Sequence, residues 1–331
     1  LKHRLTFWWK RLLIRLRHQW QNGTLFFMLA AMALLPVWFE PHTQQDSTVQ
    51  DTLFVIDISE SMNVRDVDYP RPHSDRLGLA KATVREAMSV LPCGSRMSVG
   101  LFAGDETVVL FEPLEVCRHY PAIEQVVMRL ESRMRWIGDS WVIRALVSAI
   151  KEADKRKMNL MMITDADEMP HHSAPRLTDL LEYKGKVKGL LVGVGGEAPQ
   201  PVPRLGGALI DGRQQITGYW TPEEAVIEGN HPNLLAYVKE LPPGEQAPPG
   251  MLDEVGEHLS VFNRALLQAC AEAADFDTAH IHHPQEIIKP LLQNKFQGSA
   301  LAERDARWIF GLAAALLVLA GWFRQKVKHI A

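Results

Sequence analysis

The sequence lacks the usual marks of a nucleic-acid binder, a nucleotide enzyme or a thiolate centre. Its 36 Lys and Arg are set against 39 Asp and Glu, a net charge of -3, so nothing in the balance points to nucleic acid. No phosphate-cradling loop is present, since Gly193-Val-Gly-Gly196 is too short and wrongly placed to be one. There are only 3 cysteines, and Cys270 falls on the apolar stripe Val261, Phe262, Ala265, Leu266, Ala269 and Ala273 of an expected helix, where packing accounts for it. Internal repeats are absent. No acid precedes Glu40, and no Lys or Arg lies between Arg17 and Arg65.

That uneven charge turns attention to the ends. Residues 1–23 interleave Lys2, Arg4, Lys10, Arg11, Arg15 and Arg17 with Trp8, Trp9, Leu12, Leu16 and Trp20, a basic amphipathic segment suited to a membrane surface. Residues 24–39 and 308–323 are uncharged, near the short end of what spans a bilayer, with Trp38, Trp308 and Trp322 as interfacial anchors. No small-x-small cleavage site follows the first run, only Pro36-Val37-Trp38-Phe39-Glu40, which argues against a removable secretory signal. The expectation is two transmembrane helices. Positive charge at both ends then places both termini, including the tail 324–331, in the cytoplasm, and residues 48–297 in the periplasm of a bacterial inner membrane.

Within the outward part, Thr52 to Asp57 reads as a buried strand ending in Asp57-x-Ser59-x-Ser61. In an extended segment these three side chains point one way, and their hard oxygens suit Mg²⁺, Ca²⁺ or Mn²⁺ rather than a soft metal. A helix follows over Asp75 to Leu91, then strands Met97 to Phe102 and Thr107 to Phe111 about a Gly104-Asp105 turn. That turn brings Cys93 and Cys117 to facing positions at the open end of the hairpin, on the oxidising side, so a disulfide is expected. Helices are expected at Tyr120 to Arg133, Val142 to Lys155, Pro175 to Tyr183 and Leu259 to Ala274. Strands are expected at Asn159 to Thr164, Val187 to Val194 and Ala279 to His282. The alternation implies an α/β fold, a doubly wound and mostly parallel sheet with one antiparallel edge hairpin. Residues 197–259 form a Pro- and Gly-rich insert with a small hairpin near Asp211-Gly212.

With these residues assembled, Asp51 to Gln293 resembles a von Willebrand factor type A domain. The resemblance puts the metal-ion-dependent adhesion site on Asp57, Ser59 and Ser61, on Ser140 ahead of Ile143-Arg-Ala145-Leu146, and on Asp165 in Thr164-Asp165-Ala166. Serine stands where the family has threonine and Ala166 where it has glycine, and the latter bears on the shape of the third loop. The implied role is a non-enzymatic module whose divalent cation takes a Glu or Asp from a partner protein. Arg76-Leu-Gly-Leu-Ala-Lys81, Val99-Gly-Leu-Phe-Ala-Gly104 and Glu112-Pro-Leu114 are similar to the membrane-bound bacterial subgroup found with MoxR-type AAA ATPases. The resemblance inclines toward its accessory proteins for Ca²⁺ insertion into methanol dehydrogenase, with an aerotolerance-type membrane complex subunit as the alternative.

Two other chemistries compete. Gly138-Asp139-Ser140 with Asp277-Thr-Ala-His280 matches blocks of GDS-type serine esterases, which would make Ser140 a nucleophile activated by His280 and Asp277. A chelatase-like subunit would carry the same domain but sit inside the cell. His171-His172 and the group His280, His282, His283 read as surface or core histidines rather than ligands, and Asp167 and Glu168 as a solvated loop.

Overall fold

The computed structural model describes residues 23–136, 140–168, 177–210, 213–222, 224 and 258–330. The chain divides into two units, Thr48–Ala300 and the flanks Leu1–Ser47 with Leu301–Ala331. The basic segment before Gly23 lies outside the described residues. Helix α1 (Thr24–Leu34) runs into a 3-10 turn (Leu35–Phe39), and β1 (His42–Val49) follows. Strand β1 was not expected, because His, Thr, Gln, Asp and Ser carry no apolar period.

The larger unit starts with β2 (Thr52–Asp57), buried at every position as a strand covered on both faces must be. Helix α2 (Arg76–Val90) begins at Asp75, whose carboxylate accepts the Gly78 N–H at 2.6 Å. Strands β3 (Arg96–Ala103) and β4 (Glu106–Val109) pair with Ala103 opposite Glu106 and Gly100 opposite Val109, so the hairpin centres on Gly104-Asp105 as expected. The short β5 (Leu114–Glu115) returns to the start of β3, and Cys93 and Cys117 form a disulfide with Cα atoms 5.3 Å apart. Closing a loop of this separation, 24 residues, constrains the unfolded chain. The double variant C93S/C117S should therefore lose about 3 kcal/mol in urea unfolding, and added reductant should lower the wild type alone.

Helix α3 (Val116–Met128) starts before the expected Tyr120, because the Glu115 carboxylate accepts the N–H groups of Cys117 and Arg118; Pro121 lies inside the helix rather than opening it. Then come α4 (Val142–Arg156), β6 (Asn159–Thr164), α5 (Thr178–Leu181) and β7 (Gly189–Gly193). In the insert, β8 (Gln200–Pro201) is followed by β9 (Pro203–Ile210) and β10 (Arg213–Tyr219), an antiparallel pair flanking positions 211–212. The expected helix from Leu259 is corrected: β11 (Leu259–Ser260) pairs with β8, and α6 (Arg264–Ala274) begins only after Asn263 accepts the Leu266 N–H at 3.0 Å. Strand β12 (Asp277–His280), set two residues earlier than expected, runs parallel to β7, and α7 (Ile288–Leu291) ends the unit's helices.

Seven strands form one sheet in the order β12-β7-β6-β2-β3-β4, with β5 also on β3; all are parallel except β4 and β5. Alternate residues of the central strands feed two cores. Phe54, Ile56, Val99 and Ile163 pack under α2, α3 and α7, while Leu53, Val55, Leu160 and Met162 pack under α4, α5 and α6. This is the doubly wound arrangement the alternation implied.

After the larger unit, β13 (Gly298–Asp305) pairs with β1, and α8 (Arg307–Ile330) closes the chain. Helices α1 and α8 meet where Gly321 lies on Gly23: a Cβ on Gly321 would sit 3.1 Å from the Gly23 carbonyl oxygen. Residues 307–326 are the one stretch among the described residues long and apolar enough to cross a membrane, while Thr24–Phe39 is apolar but shorter. Trp308, Leu312, Leu316, Leu319 and Phe323 are exposed on α8.

Candidate metal centre

The site is built where the winding reverses. From β2 the chain passes through α2 to β3 on one side, and from β6 through α5 to β7 on the other, so the carboxyl ends of neighbours β2 and β6 open a crevice. Ile56 stands opposite Ile163, which sets Asp57 level with Thr164. Asp57 is fully buried; its Oδ1 accepts the Ser59 N–H at 2.8 Å and its Oδ2 the Thr164 hydroxyl at 2.7 Å. The hydroxyls of Ser59 and Ser61 lie 2.9 Å apart, and that of Ser61 donates to Asp165. Asp165 Oδ1 also accepts the Asp167 N–H at 3.1 Å. The three first-loop side chains converge, but not by extended alternation: the Asp57–Ser59 bond turns the chain, and a 3-10 turn (Glu60–Asn63) carries Ser61 back.

The second loop arrives from the other neighbour. Asp57 pairs with Phe102 on β3, and just beyond, Ser140 bridges Gly104 while the Trp141 N–H donates to the Gly104 carbonyl at 2.9 Å. Gly138 and Asp139 lie outside the described residues. Ser140 is buried and its hydroxyl has no hydrogen-bond partner among the described residues. In the third loop Ala166 takes φ 54°, the left-handed conformation glycine favours, at a cost of roughly 1–2 kcal/mol; the alanine keeps the loop shape by strain. Asp167 and Glu168 are buried rather than solvated, correcting the expectation for them. Glu168 accepts the backbone N–H groups of Val142 and Ile143, so the third loop caps the helix that follows Ser140.

Electrostatically the crevice is short of positive charge. Burial, and then the charge of Asp165, push the Asp57 carboxyl well above its ordinary range. Asp165 is raised by burial and by Asp167, against the opposing pull of Arg76. Glu168 is pushed up to about 7 by burial.

Arg76 is the residue the sequence did not mark as part of the site. It is fully buried, with Nη1 2.7 Å from both Asp165 Oδ2 and the Ser260 hydroxyl, Nη2 2.6 Å from Asp66 Oδ2, and Nε 3.0 Å from Asp66 Oδ1. Asp66 Oδ2 accepts the Gly196 N–H as well, at 2.8 Å. Gly195, at φ 104°, makes room: a Cβ there would lie 2.4 Å from Arg76 Nε. One local signal was available. A cation in the first turn of a helix opposes the helix dipole, so Arg76 directly after the Asp75 cap implies a carboxylate elsewhere in the fold.

The donor set fits a hard divalent cation. Asp57, Ser59, Ser61 and Ser140 would hold it, with Asp165 beside them; the cation would give the Ser140 hydroxyl a partner and offset the buried Asp57 charge. A bound ion of this kind supplies a Lewis-acidic point with room for an outside oxygen ligand. Cys93, Glu115 and Cys117 also lie together, but the disulfide consumes both thiols.

The esterase triad is not assembled. Ser140 stands past the end of β3 and His280 on β12, with β2, β6 and β7 between them, a separation of about 19 Å at strand spacing. Asp277 pairs with Lys295 at 2.6 Å instead. His280 is occupied too, receiving Arg264 at Nδ1 (2.9 Å) and donating from Nε2 to the Gly195 carbonyl (2.9 Å). His171 and His172 lie outside the described residues.

Residues 52–168 match the von Willebrand factor type A domain. The fold is of that type, and the chain is a protein carrying such a domain. No curated protein matches the chain. Among solved structures it is similar to the conserved hypothetical protein BatB of Bacteroides thetaiotaomicron, at 16% identity over 72% of this chain and 98% of that one, TM-score 0.47. An aerotolerance-related membrane protein of Bacteroides fragilis is similar at 15% identity over 73% and 96%, TM-score 0.47. A von Willebrand factor type A protein of Catenulispora acidiphila shares 16% identity over 76% of this chain and 44% of its own, TM-score 0.41. These likenesses concern fold alone.

Proposed function

We propose that the protein is a membrane-anchored, non-enzymatic binding module whose divalent cation, Mg²⁺ or Ca²⁺ with Mn²⁺ as a further candidate, joins it to a partner protein's Glu or Asp. The observation that carries this is the Ser140 hydroxyl, buried without a hydrogen-bond partner among the described residues at the crevice that gathers Asp57, Ser59, Ser61 and Asp165. A buried hydroxyl left so is costly, and a cation ligated by it removes the cost.

Anchoring rests on residues 307–326 and the apolar helix before β1, and a periplasmic placement on the basic ends of the sequence together with the disulfide. Both termini are then cytoplasmic, where a MoxR-type AAA ATPase could be reached. Of the two finer readings we favour an aerotolerance-type membrane complex subunit, in keeping with the description that the similar Bacteroides fragilis structure bears. Nothing in the fold or the comparisons supports a role in methanol dehydrogenase maturation.

Cross-linking in native membranes, followed by capture of the full chain, tests the reading. Partners are expected to be retained with Mg²⁺ or Ca²⁺ and lost with a chelator or in Asp57→Ala. Retention under all three conditions rejects it.

A further inference from the structure

Beside the metal crevice, a groove of about 750 Å³ runs between the segment Asn63–Asp75, one side of α2, and residues 128–132. It begins at Asn63, in the same 3-10 turn that carries Ser61, so it is continuous with the loop that would hold the cation. Its surface is mixed. Met128 supplies exposed apolar area, and the Lys81 ammonium bonds the Leu130 carbonyl at 3.0 Å.

The charge in this groove is one-sided. Arg65, Arg71 and Arg85 are all exposed, and none forms an ion pair among the described residues. The acids in the lining are already engaged: Asp75 caps α2 through the Gly78 N–H, and Glu131 pairs with Arg133. Three exposed guanidinium groups around a concave, partly apolar surface concentrate positive potential there, and their planar forks match carboxylates.

We propose that this groove seats an acidic, extended polypeptide segment of the same partner whose carboxylate reaches the cation. This rests on the metal-dependent reading above and extends it: the ion takes one carboxylate, and the arginines take acidic residues flanking it. The exposed Met128 side chain covers the segment's aliphatic stems, which a purely ionic surface would not do. The arrangement gives specificity and a faster encounter, because rim charges steer association.

The test uses the full chain in nanodiscs and a fluorescein-labelled ten-residue Asp/Glu peptide, read by anisotropy with Mg²⁺ or with EDTA. The groove variant is R65E/R71E/R85E. A control of equal charge change, K155E/K184E/K188E, lies on exposed positions near the amino ends of β6 and β7, away from the crevice. The expected result is about tenfold weaker peptide binding in the groove variant, unchanged binding in the control, and unchanged Mn²⁺ uptake in both. Equal weakening in groove variant and control overturns the proposal, as does arginine-dependent binding to anionic phospholipid vesicles with none to the peptide. Binding that is lost with EDTA and in Asp57→Ala but is indifferent to the arginines overturns the groove and keeps the metal reading. Binding that falls with the arginines but ignores EDTA keeps the groove and overturns the metal reading.

Discussion

Metal-free protein is expected to lose thermal stability as pH rises from 5 to 8, and saturating Mg²⁺ or Mn²⁺ is expected to restore it at pH 8 but hardly at pH 5. The sign follows from which state holds the protons. Asp57 and Asp165 are raised above the ordinary carboxylate value of 3.8 by burial, so between that value and neutrality the folded state binds more protons than the unfolded one. Stability then falls with rising pH, and Glu168, raised to about 7, adds to the slope in the same direction. A divalent cation replaces those protons, so its benefit appears only where the carboxylates are ionised. The swing is on the order of a few kcal/mol, roughly 5–10 °C in Tm for a domain of this size. Asp57→Asn keeps the shape and an oxygen for the Ser59 N–H while removing the charge, so it should flatten the pH profile and abolish the response to cation. An equal cation shift in Asp57→Asn, or a metal-free Tm that rises toward pH 8, would count decisively against the site.

Arg76→Met is expected to be the most destabilising single substitution at the site, by about 3–5 kcal/mol in urea unfolding at pH 8. The guanidinium is buried between Asp66 and Asp165, so deleting it leaves two carboxylates without their cation in a low-dielectric crevice. The loss should shrink at pH 5, where Asp165, raised by burial, takes up a proton, and should be partly recovered in Arg76→Met/Asp165→Asn. Arg76→Lys restores a charge but not the fork that spans Asp165, Ser260 and Asp66, so it should recover less than half of the loss. A change below about 1 kcal/mol at pH 8 would show that the arginine is not what holds the third loop.

Much of the fold could be read from local patterns, because they and the tertiary structure agree. The run Thr52–Asp57 is apolar throughout and becomes a central strand; Gly104-Asp105 turns a hairpin, and its register carries Cys93 to Cys117. Boundaries failed where a side chain from another position decided them. Glu115 starts α3 ahead of Pro121, and Asn263 delays α6 until Leu259–Ser260 have paired with β8. Strand β1 was invisible because its residues are polar and it is defined only by its partner β13.

At the site, Asp57, Ser59 and Ser61 were legible as hard oxygens at the end of a buried strand, while Ser140 and Asp165 were marked as candidate donors by the resemblance to the von Willebrand factor type A domain. Their chemistry as hard oxygen ligands belongs to the residue types. What no local pattern could supply is the charge balance. Arg76 and Asp165 are 89 positions apart, and Arg76 and Ser260 184, yet one buried guanidinium joins them. The burial of Asp167 and Glu168, which their acidity argued against, is likewise decided by what packs over the loop. Residue type and spacing marked the proposed oxygen donors; only the folded sheet, by removing water from the crevice, determined which charges had to be paired and with what.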